Sequence, residues 1–326
     1  MRVCHGIIEI AGQMGILSGE MKRRGHLAAG FNTFHSYLGY KEHLINTNGY
    51  DLRSTAPHIM NFFDVFHFHY ASSLLPDYAD LPVISAKGKK MFMHHWGNDV
   101  RFHEKARENN PFVYTGDSPS NEVMDTRLTK ISRYVEEAIV QDYEVLPYVE
   151  PYYETVHVVP IAIDIGKFQP HYPLPDKKRP LILHAPTNPK FKGTEFIEAA
   201  IENLRNTHDF DYRRIEKMSH AQVIDLYREA DLIVDQVLCG SHGLLSVESM
   251  ALGKPVIAFI RPDLVARFPK DLPIINANPD DVEEKIRMVL DSPGLREKKG
   301  RLGRAYAKRV HAKEAVTDQL IRLYKS

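Results

Sequence analysis

Short apolar runs alternate with amphipathic stretches along the whole chain, a pattern that predicts parallel sheets covered by helices. The run 3–10 reads as a strand, and it leads through a loop with Gly12 and Gly15 into a helix that ends near Arg24. A strand, a glycine loop and a helix in this order are typical of a doubly wound domain. Further strands of the same sheet are predicted at 65–70, 90–94, 112–114, 137–140 and 156–159.

The same pattern begins again in the second half of the chain. Residues 161–180 contain prolines and a charged cluster with little helical periodicity, which predicts a linker. The elements predicted after it are strands at 180–184, 231–234 and 255–260 and helices at 195–206 and 221–230. We therefore predict a Rossmann-like domain at 1–160, a second one at 181–310, and a helix at 311–326 that can pack back on the first domain.

Composition narrows the class of protein. Lys and Arg together number 42, as do Asp and Glu, so the formal net charge is 0 and electrostatic binding of nucleic acid is not expected. Cys4 and Cys239 have neither a disulfide nor a metal-ligand spacing, which favours a reducing compartment. The N-terminus lacks the apolar core of a signal peptide, and no apolar run reaches the roughly 20 residues of a membrane span. We expect a cytoplasmic protein whose contact with the inner face of a membrane, if it has one, is peripheral.

A glycine loop at 240–243 precedes a predicted short helix and the strand at 255–260. Glycine lets a loop approach a ligand closely, and the first amides of a helix attract an anion such as a diphosphate. Glu248 stands about one turn into this helix, where its carboxylate could accept hydrogen bonds from a ribose. An ordinary helix with an exposed Glu248 is the other interpretation of the same spacing, because short glycine motifs are weak by themselves.

Several segments, taken in order along the chain, resemble one family. These are Arg24-Gly25-His26, the His95-Trp-Gly-Asn-Asp99-Val-Arg101 segment, the interdomain segment 159–170, Lys192-Gly193, the strand at 230–234 and Glu248-Ser-Met-Ala-Leu-Gly-Lys-Pro-Val-Ile. Together they resemble the retaining GT-B glycosyltransferases, the family 4-like or group 1 transferases of bacterial polysaccharides and glycolipids. The resemblance implies an α/β fold in which two doubly wound Rossmann-like domains face each other across a cleft.

The resemblance also implies a reaction and a set of donor-binding residues. A sugar would pass with retention, without a metal or other cofactor, from a nucleoside diphosphate sugar to a saccharide or glycoconjugate acceptor, in surface polysaccharide assembly. Lys192 and the amides at 243–246 would stabilise the leaving diphosphate, and Glu248 would hold the ribose. The implied donor-binding residues are Gly12, Gly15, Lys190, Lys192, His242, Gly243, Leu244, Leu245, Ser246 and Glu248.

The chain departs from the family eight positions before Glu248, where the family has a Glu that contacts the donor sugar and this chain has Gly240. Asp235 and Gln236 stand at the end of the preceding strand and are candidates to replace that Glu. The family's Arg before Lys192-Gly193 is also missing, although Lys190 offers a charge nearby. These losses leave two alternatives open: a nucleotide-sugar-binding protein with little or no catalysis, and a sugar-nucleotide epimerase.

Histidines are concentrated in the first predicted domain. The resemblance implies that His95, or else His94, contacts the transferred sugar or the acceptor, with only one of the two facing the ligand because neighbouring strand residues point to opposite faces. Asp99 is a candidate either to bind acceptor hydroxyls or to cap a helix that begins near residue 100. His67 and His69 are assigned to core or acceptor-groove packing. A metal site is not expected, because no Cys or carboxylate has a suitable spacing from them.

Overall fold

The computed structural model describes residues 1–326 and contains two sheets whose strands are all parallel. The first sheet has seven strands in the order β3-β2-β1-β4-β5-β6-β7. Its strands are β1 Arg2–Ile7, β2 Leu27–Asn32, β3 Leu44–Asn46, β4 Val65–His69, β5 Lys90–His95, β6 Glu137–Val140 and β7 Thr155–Val158. The strand order reverses between β1 and β4, and ligands of open parallel sheets bind beyond the carboxyl ends of the strands at such a point.

The second sheet has five strands in the order β12-β11-β10-β8-β9. Its strands are β8 Leu181–His184, β9 Asp211–Arg214, β10 Leu232–Val234, β11 Val256–Ala258 and β12 Ile275–Asn276. Here the order reverses between β8 and β10, so the carboxyl ends of these two strands mark the expected ligand position of this sheet.

Helices connect most of the consecutive strands, as is usual for parallel crossovers. They are α1 Gln13–Arg23, α2 Gly49–Phe62, α3 Leu81–Ala86, α4 His103–Glu108, α5 Asn121–Ser132, α6 Leu146–Val149, α7 Pro189–Lys192, α8 Thr194–Leu204, α9 His220–Glu229, α10 Leu244–Ala251, α11 Pro262–Val265, α12 Val282–Asp291, α13 Pro293–Val310 and α14 Lys313–Lys325. None of them is both long enough and apolar enough to cross a lipid bilayer.

Most predicted strands are confirmed, and the exceptions have local causes. Residues 112–114 form no strand, because the Asn110 side chain accepts the Phe112 N–H at 3.1 Å and turns the chain there. The sequence analysis missed β2, β3, β9 and β12. Strand β9 is polar throughout, with the sequence DYRR at the sheet edge, and β12 has only two residues, so neither carries an apolar alternation.

The chain divides into two compact units. The first comprises 1–105, 118–162 and 313–326, and the second 106–117 and 163–312. The predicted first domain, 1–160, included 106–117, but this segment belongs to the second unit because Asn110 donates to the carbonyls of Leu238 and Cys239 at 2.8 and 3.1 Å. The predicted linker 161–180 also lies mostly in the second unit, where Lys177 pairs with Asp231.

The core of the first unit lies between its sheet and two helices, α1 and α14. Leu17 and Met21 of α1 and Val316 and Leu320 of α14 are buried in one cluster with strand residues such as Phe92. Burying four large aliphatic side chains stabilises the unit by roughly 1.5–3 kcal/mol each relative to exposure. The C-terminal helix is therefore an integral part of the first unit.

Candidate functional site

The second unit gathers polar side chains at the carboxyl ends of β8 and β10. Lys192 ends α7 after β8, and Asp235 and Gln236 follow β10 directly. The Lys192 Nζ lies 2.6 Å from Asp235 Oδ1 and 2.7 Å from Gln236 Oε1. Ser246, in the first turn of α10, donates its backbone N–H at 3.2 Å and its hydroxyl at 2.6 Å to Asp235 Oδ2. We call these four residues the lysine–aspartate cluster.

Local sequence fixes the position of Lys192. Asn188 caps α7 by accepting the backbone N–H groups of Lys190 and Phe191 at 3.1 and 3.3 Å. Gly193 then turns the chain with φ 75°, and a Cβ at this position would lie 2.6 Å from Val237 Cγ2. Only glycine lets α7 and α8 approach the segment after β10 this closely. This contact holds Lys192 next to the residues that follow β10.

Asp235 is fully buried, yet it stays ionised. Burial alone would raise its pKa, but the charge of Lys192 and the hydrogen bonds from Lys192 and Ser246 together hold the pKa of Asp235 below its usual value. The cluster is thus a buried ion pair at the start of α10. The Asp235 carboxylate accepts a hydrogen bond from one of the first amides of α10, where the helix favours an anion.

The N-terminus of α10 is otherwise open to a ligand. Gly243 is the N-cap residue and has no side chain to cap the helix, so the one side chain on its first turn is Asp235, which accepts the Ser246 N–H. A Cβ on Gly243 would lie 3.4 Å from Gln236 Oε1 and 3.5 Å from Lys192 Nζ. With φ −109°, Gly243 has a backbone conformation that any residue can adopt. The glycine matters because it has no side chain to cover the Lys192 ammonium. Leu244 and Leu245 follow as the first two residues of the helix, and their amides point outward from its start.

Glu248 lies in the same helix and is also buried. Its Oε1 accepts a hydrogen bond from His220 Nε2 at 2.5 Å, and burial raises the pKa of Glu248 while His220 opposes that rise. The predicted exposed Glu248 of an ordinary helix is therefore wrong. His220 begins α9, and the sequence analysis missed it because no local spacing links α9 to α10.

His242 and Lys190 differ in their surroundings. His242 is buried against the Phe268 ring, burial lowers its pKa to about 4, and its Nδ1 has no hydrogen-bond partner. The imidazole is therefore neutral at neutral pH. Lys190 is exposed and does not join the lysine–aspartate cluster. Its charge therefore acts on the cluster only through a solvent-screened electrostatic interaction.

In the first unit, the Glu9 side chain binds the N-terminal amides of α1. Glu9 accepts the backbone N–H of Met14 at 3.2 Å and that of Gly15 at 3.0 Å. Burial raises the pKa of Glu9 to about 8, although these hydrogen bonds favour its charged form. Gly12 turns the chain with φ 77°, and a Cβ on Gly15 would lie 2.4 Å from the carbonyl oxygen of Glu42. Both glycines therefore serve the turn and the packing, whereas their binding of donor phosphate stays a prediction.

His95 and Asp99 form a buried hydrogen-bonded chain with Tyr153. His95 Nδ1 lies 2.7 Å from Asp99 Oδ2, and His95 Nε2 lies 2.8 Å from the Tyr153 hydroxyl. Asp99 also accepts the backbone N–H of Trp96 at 2.9 Å. Asp99 therefore fixes the imidazole rather than capping a helix, and the next helix, α4, begins only at His103. The sequence analysis missed Tyr153, which comes from a distant part of the chain.

His94 points to the opposite face of the sheet from His95. It is only 2% exposed and its Nδ1 lies 3.1 Å from His67 Nε2, so it leaves almost no surface for an acceptor. His67 in turn contacts the Tyr324 hydroxyl of α14 at 2.5 Å. His67 is therefore a core residue, as one of its two predicted assignments states. His94 and His95 are both buried, and the acceptor-binding role of His94 stays a prediction.

Solved structures of known proteins share this architecture. The chain superposes on a sucrose-phosphate synthase from Thermosynechococcus elongatus with a TM-score of 0.67 and 14% identity, covering 100% of this chain and 98% of that one. For a glycosyltransferase from Rickettsia africae ESF-5 the TM-score is 0.68 with 14% identity and coverage of 99% and 97%. For Anabaena HepE in complex with UDP and glucose it is 0.69 with 11% identity, over 100% of both chains.

The chain has the GT-B glycosyltransferase fold. No protein-family model matches the chain, and its sequence matches no curated protein. At these low identities the likeness to solved structures establishes the GT-B fold alone.

Within the GT-B fold, the missing Glu at Gly240 has a structural explanation. Gly240 has φ 86°, and a Cβ there would lie 2.6 Å from Arg261 Cγ and 2.8 Å from its Cδ. The Arg261 backbone N–H donates to the Gly240 carbonyl at 3.0 Å, and its guanidinium forms two hydrogen bonds with Asp263. The Arg261 side chain thus fills the space beside Gly240 and excludes a larger residue there.

Proposed function

We propose that this GT-B protein is a glycosyltransferase that moves a sugar from a nucleoside diphosphate sugar to a saccharide or glycoconjugate acceptor. The observation that carries the proposal is the Lys192 ammonium beside the first amides of α10, at the strand-order reversal of the second sheet. Structures of Anabaena HepE, which has a similar fold, contain UDP and UDP-glucose. A nucleoside diphosphate is therefore the ligand chemistry that best fits this cation and these amides.

In the proposed complex, the diphosphate binds to the one Lys192 N–H that the protein leaves unused. The Lys192 ammonium has three N–H donors, of which Asp235 and Gln236 accept two. The third donor and the first amides of α10 then stabilise the charge that develops on the leaving diphosphate. Because a fixed ammonium and a helix terminus supply this stabilisation, the proposed transfer needs no metal ion at the diphosphate.

We assign the ribose to Glu248. Its Oε1 is engaged by His220, whereas its Oε2 accepts no hydrogen bond within the protein and is available to a hydroxyl. His220 would keep the carboxylate in one orientation, so less conformational entropy is lost when a ribose binds to it.

Asp235 acts in this proposal as a positioning residue. It holds Lys192 on one oxygen and the start of α10 on the other, so it aligns the two groups that face the diphosphate. Its full burial fits this indirect role better than direct contact with the donor sugar. The same reasoning applies to Asp99, which holds His95 in one orientation.

Retention, a role in surface polysaccharide assembly and a cytoplasmic location rest on the motif resemblance and on the composition. Two free buried cysteines fit a reducing compartment. The anomeric configuration of the product, compared with that of the donor, tests retention directly.

The first test of the function is calorimetric binding of UDP, GDP, ADP and dTDP to the wild type and to Lys192→Ala. We expect one nucleotide to bind the wild type, with binding lost in Lys192→Ala and kept in Lys178→Ala, which removes an exposed lysine of the same unit. The matching labelled nucleotide sugar should then give a new glycosidic bond with an acceptor. Absence of binding to all four nucleotides would remove the proposal.

A second candidate function is binding of a nucleotide sugar without transfer. The observation that favours it is Arg261, which fills the space beside Gly240 where similar transferases carry a Glu that contacts the sugar. Nucleotide binding with no product from any sugar donor over long incubation would support this candidate. A glycosidic product would eliminate it, and an isomerised donor would point to an epimerase instead.

A further inference from the structure

We infer that His5, His67 and His69 of the first unit form a binding site for a transition-metal ion such as Zn²⁺. One ring nitrogen of each residue lies within 4.8 Å of those of the other two, and all three side chains are fully buried. Three histidines are the protein ligands of one class of zinc sites, and imidazole also suits copper and nickel. The site is separate from the lysine–aspartate cluster and does not depend on the proposed transfer.

Strand geometry places the three imidazoles on one face of the sheet. His67 and His69 are two positions apart on β4, so their side chains point the same way, and their rings stack 4.4 Å apart. His5 lies on the adjacent strand β1 directly opposite His67. His5 carries no sequence signal that links it to His67 and His69, because only strand pairing brings β1 and β4 together.

The nitrogen spacing suits a common metal ion. His5 Nδ1 lies 3.2 Å from His69 Nε2. Two nitrogens bound to one tetrahedral zinc at 2.0–2.1 Å are about 3.3 Å apart, so the distance within this pair matches a shared ion once both rings turn their lone pairs toward it. Burial lowers the pKa of His5 to about 3 and that of His67 and His69 well below the usual value. The imidazoles are thus neutral at neutral pH, the form that binds metal.

The hydrogen bonds among these residues leave nitrogen atoms unsatisfied. The Trp96 indole can only donate, and its Nε1–H points to His69 Nδ1 at 3.3 Å. His69 must then carry its proton on Nε2 and donate to His5 Nδ1, which leaves the proton of His5 on Nε2. That buried nitrogen has no partner, and neither does His94 Nε2 at the end of the neighbouring His67–His94 pair. His5 Nδ1, opposite His69, then carries the lone pair that a metal ion requires. His67, whose Nδ1 and Nε2 contact Tyr324 and His94, exchanges its contact with His94 for the ion.

Trp96, the only tryptophan of the chain, reports on the site. A metal on His69 Nε2 moves the proton of this imidazole to Nδ1, so the indole N–H loses its acceptor. The indole also stacks on His94, with ring centroids 3.9 Å apart. Metal binding should therefore change the tryptophan fluorescence, and this readout is independent of any enzymatic activity.

The experiment is a titration of the metal-stripped full-length protein with Zn²⁺ alone, followed by Trp96 fluorescence and by elemental analysis after gel filtration. We expect one ion per chain and a fluorescence change that saturates at the same ratio. In His5→Gln and His69→Gln we expect affinity to fall by more than about 100-fold, beyond the 10–100-fold typical for loss of an outer-shell partner. The control His58→Gln removes an exposed histidine of the same unit and should bind like the wild type.

A measurement on the wild type alone guards against variants that fail to fold. Co²⁺ held by histidine nitrogens in a four-coordinate site absorbs visible light far more strongly than a hydrated surface ion. Strong absorption that saturates at one Co²⁺ per chain and is displaced by Zn²⁺ supports the site. Less than one tightly bound ion, weak absorption typical of a hydrated ion, or equal binding by His5→Gln and the wild type would overturn it.

Discussion

The ammonium of Lys192 lies 2.6 Å from the carboxylate of Asp235, and the two form a buried ion pair at the start of α10. The pair links the end of α7, which follows β8, to the end of β10, so one contact joins the two strand ends that flank the strand-order reversal. The same contact sets the orientation of the cation that is proposed to meet the diphosphate.

Removing one partner of this pair should cost more than removing both. Lys192→Met leaves Asp235 buried and charged without its counter-ion, and breaking a buried pair in this way typically costs about 3–5 kcal/mol. Lys192→Met/Asp235→Asn removes both charges and should recover much of that loss. Chemical denaturation of the wild type, both single variants and the double variant measures the coupling free energy. A double variant as unstable as the sum of the single variants would show that the two residues do not interact.

Gly243→Ala should weaken nucleotide binding without unfolding the protein. The added methyl group would stand 3.5 Å from Lys192 Nζ, where it covers the cation, and φ −109° is an ordinary conformation for alanine. We expect affinity to fall by about tenfold or more, which corresponds to at least about 1.4 kcal/mol. Calorimetry measures the affinity, and Gly294→Ala, a glycine with open space around it, is the matched control. Unchanged affinity would place the nucleotide away from the start of α10.

Introducing at position 240 the Glu of the transferases that the motifs resemble should destabilise this chain. In Gly240→Glu the new Cβ would overlap Arg261 Cγ at 2.6 Å, and φ 86° adds backbone strain of roughly 1–2 kcal/mol for a residue other than glycine. Gly240→Glu/Arg261→Ala removes the overlap with Arg261 and should recover much of the stability, while the backbone strain and the approach of Asn110 Nδ2, 3.2 Å from the new Cβ, remain. Thermal unfolding of both variants, with Arg261→Ala alone as control, measures the recovery. If the double variant were no more stable than Gly240→Glu, Arg261 would not be the obstacle.

Local sequence patterns were sufficient for the features that one segment determines by itself. The glycine loop before α10, the turn after Lys192 and most core strands were predicted because backbone conformation and apolar periodicity act over a few residues. Asp235 was also placed correctly at a strand end. These features determine where the site lies, because the carboxyl ends of parallel strands meet at one edge of the sheet.

Contacts between distant segments were not predictable. His220 beside Glu248, Arg261 over Gly240 and His5 beside His67 each join two elements whose proximity only the folded chain determines. One sequence contains no periodic or spacing signal for such pairs. The residues of the site that were missed are therefore those that orient the predicted ones.

Glu9 should make the stability of the protein fall as the pH rises from about 4.5 to about 8. Burial raises the pKa of Glu9 from 4.5 to about 8 in the folded state, so in this interval the unfolded chain releases a proton that the folded chain keeps. The unfolded state then binds fewer protons, and the free energy of unfolding decreases with pH until the folded carboxyl also ionises near 8. In Glu9→Gln this contribution is absent, because the amide does not titrate.

The free energy of unfolding of the wild type and of Glu9→Gln, measured by denaturant between pH 4 and 9, tests this prediction. We expect the difference between the two proteins to shift in favour of Glu9→Gln across the interval and to level off above about pH 8. Other titrating groups contribute to both proteins and cancel in the difference. The matched control is Glu42→Gln, which removes an exposed carboxylate of the same unit. A constant difference for Glu9→Gln would mean that Glu9 titrates alike in the folded and unfolded chain, and its carboxylate would then be ionised at neutral pH at the start of α1.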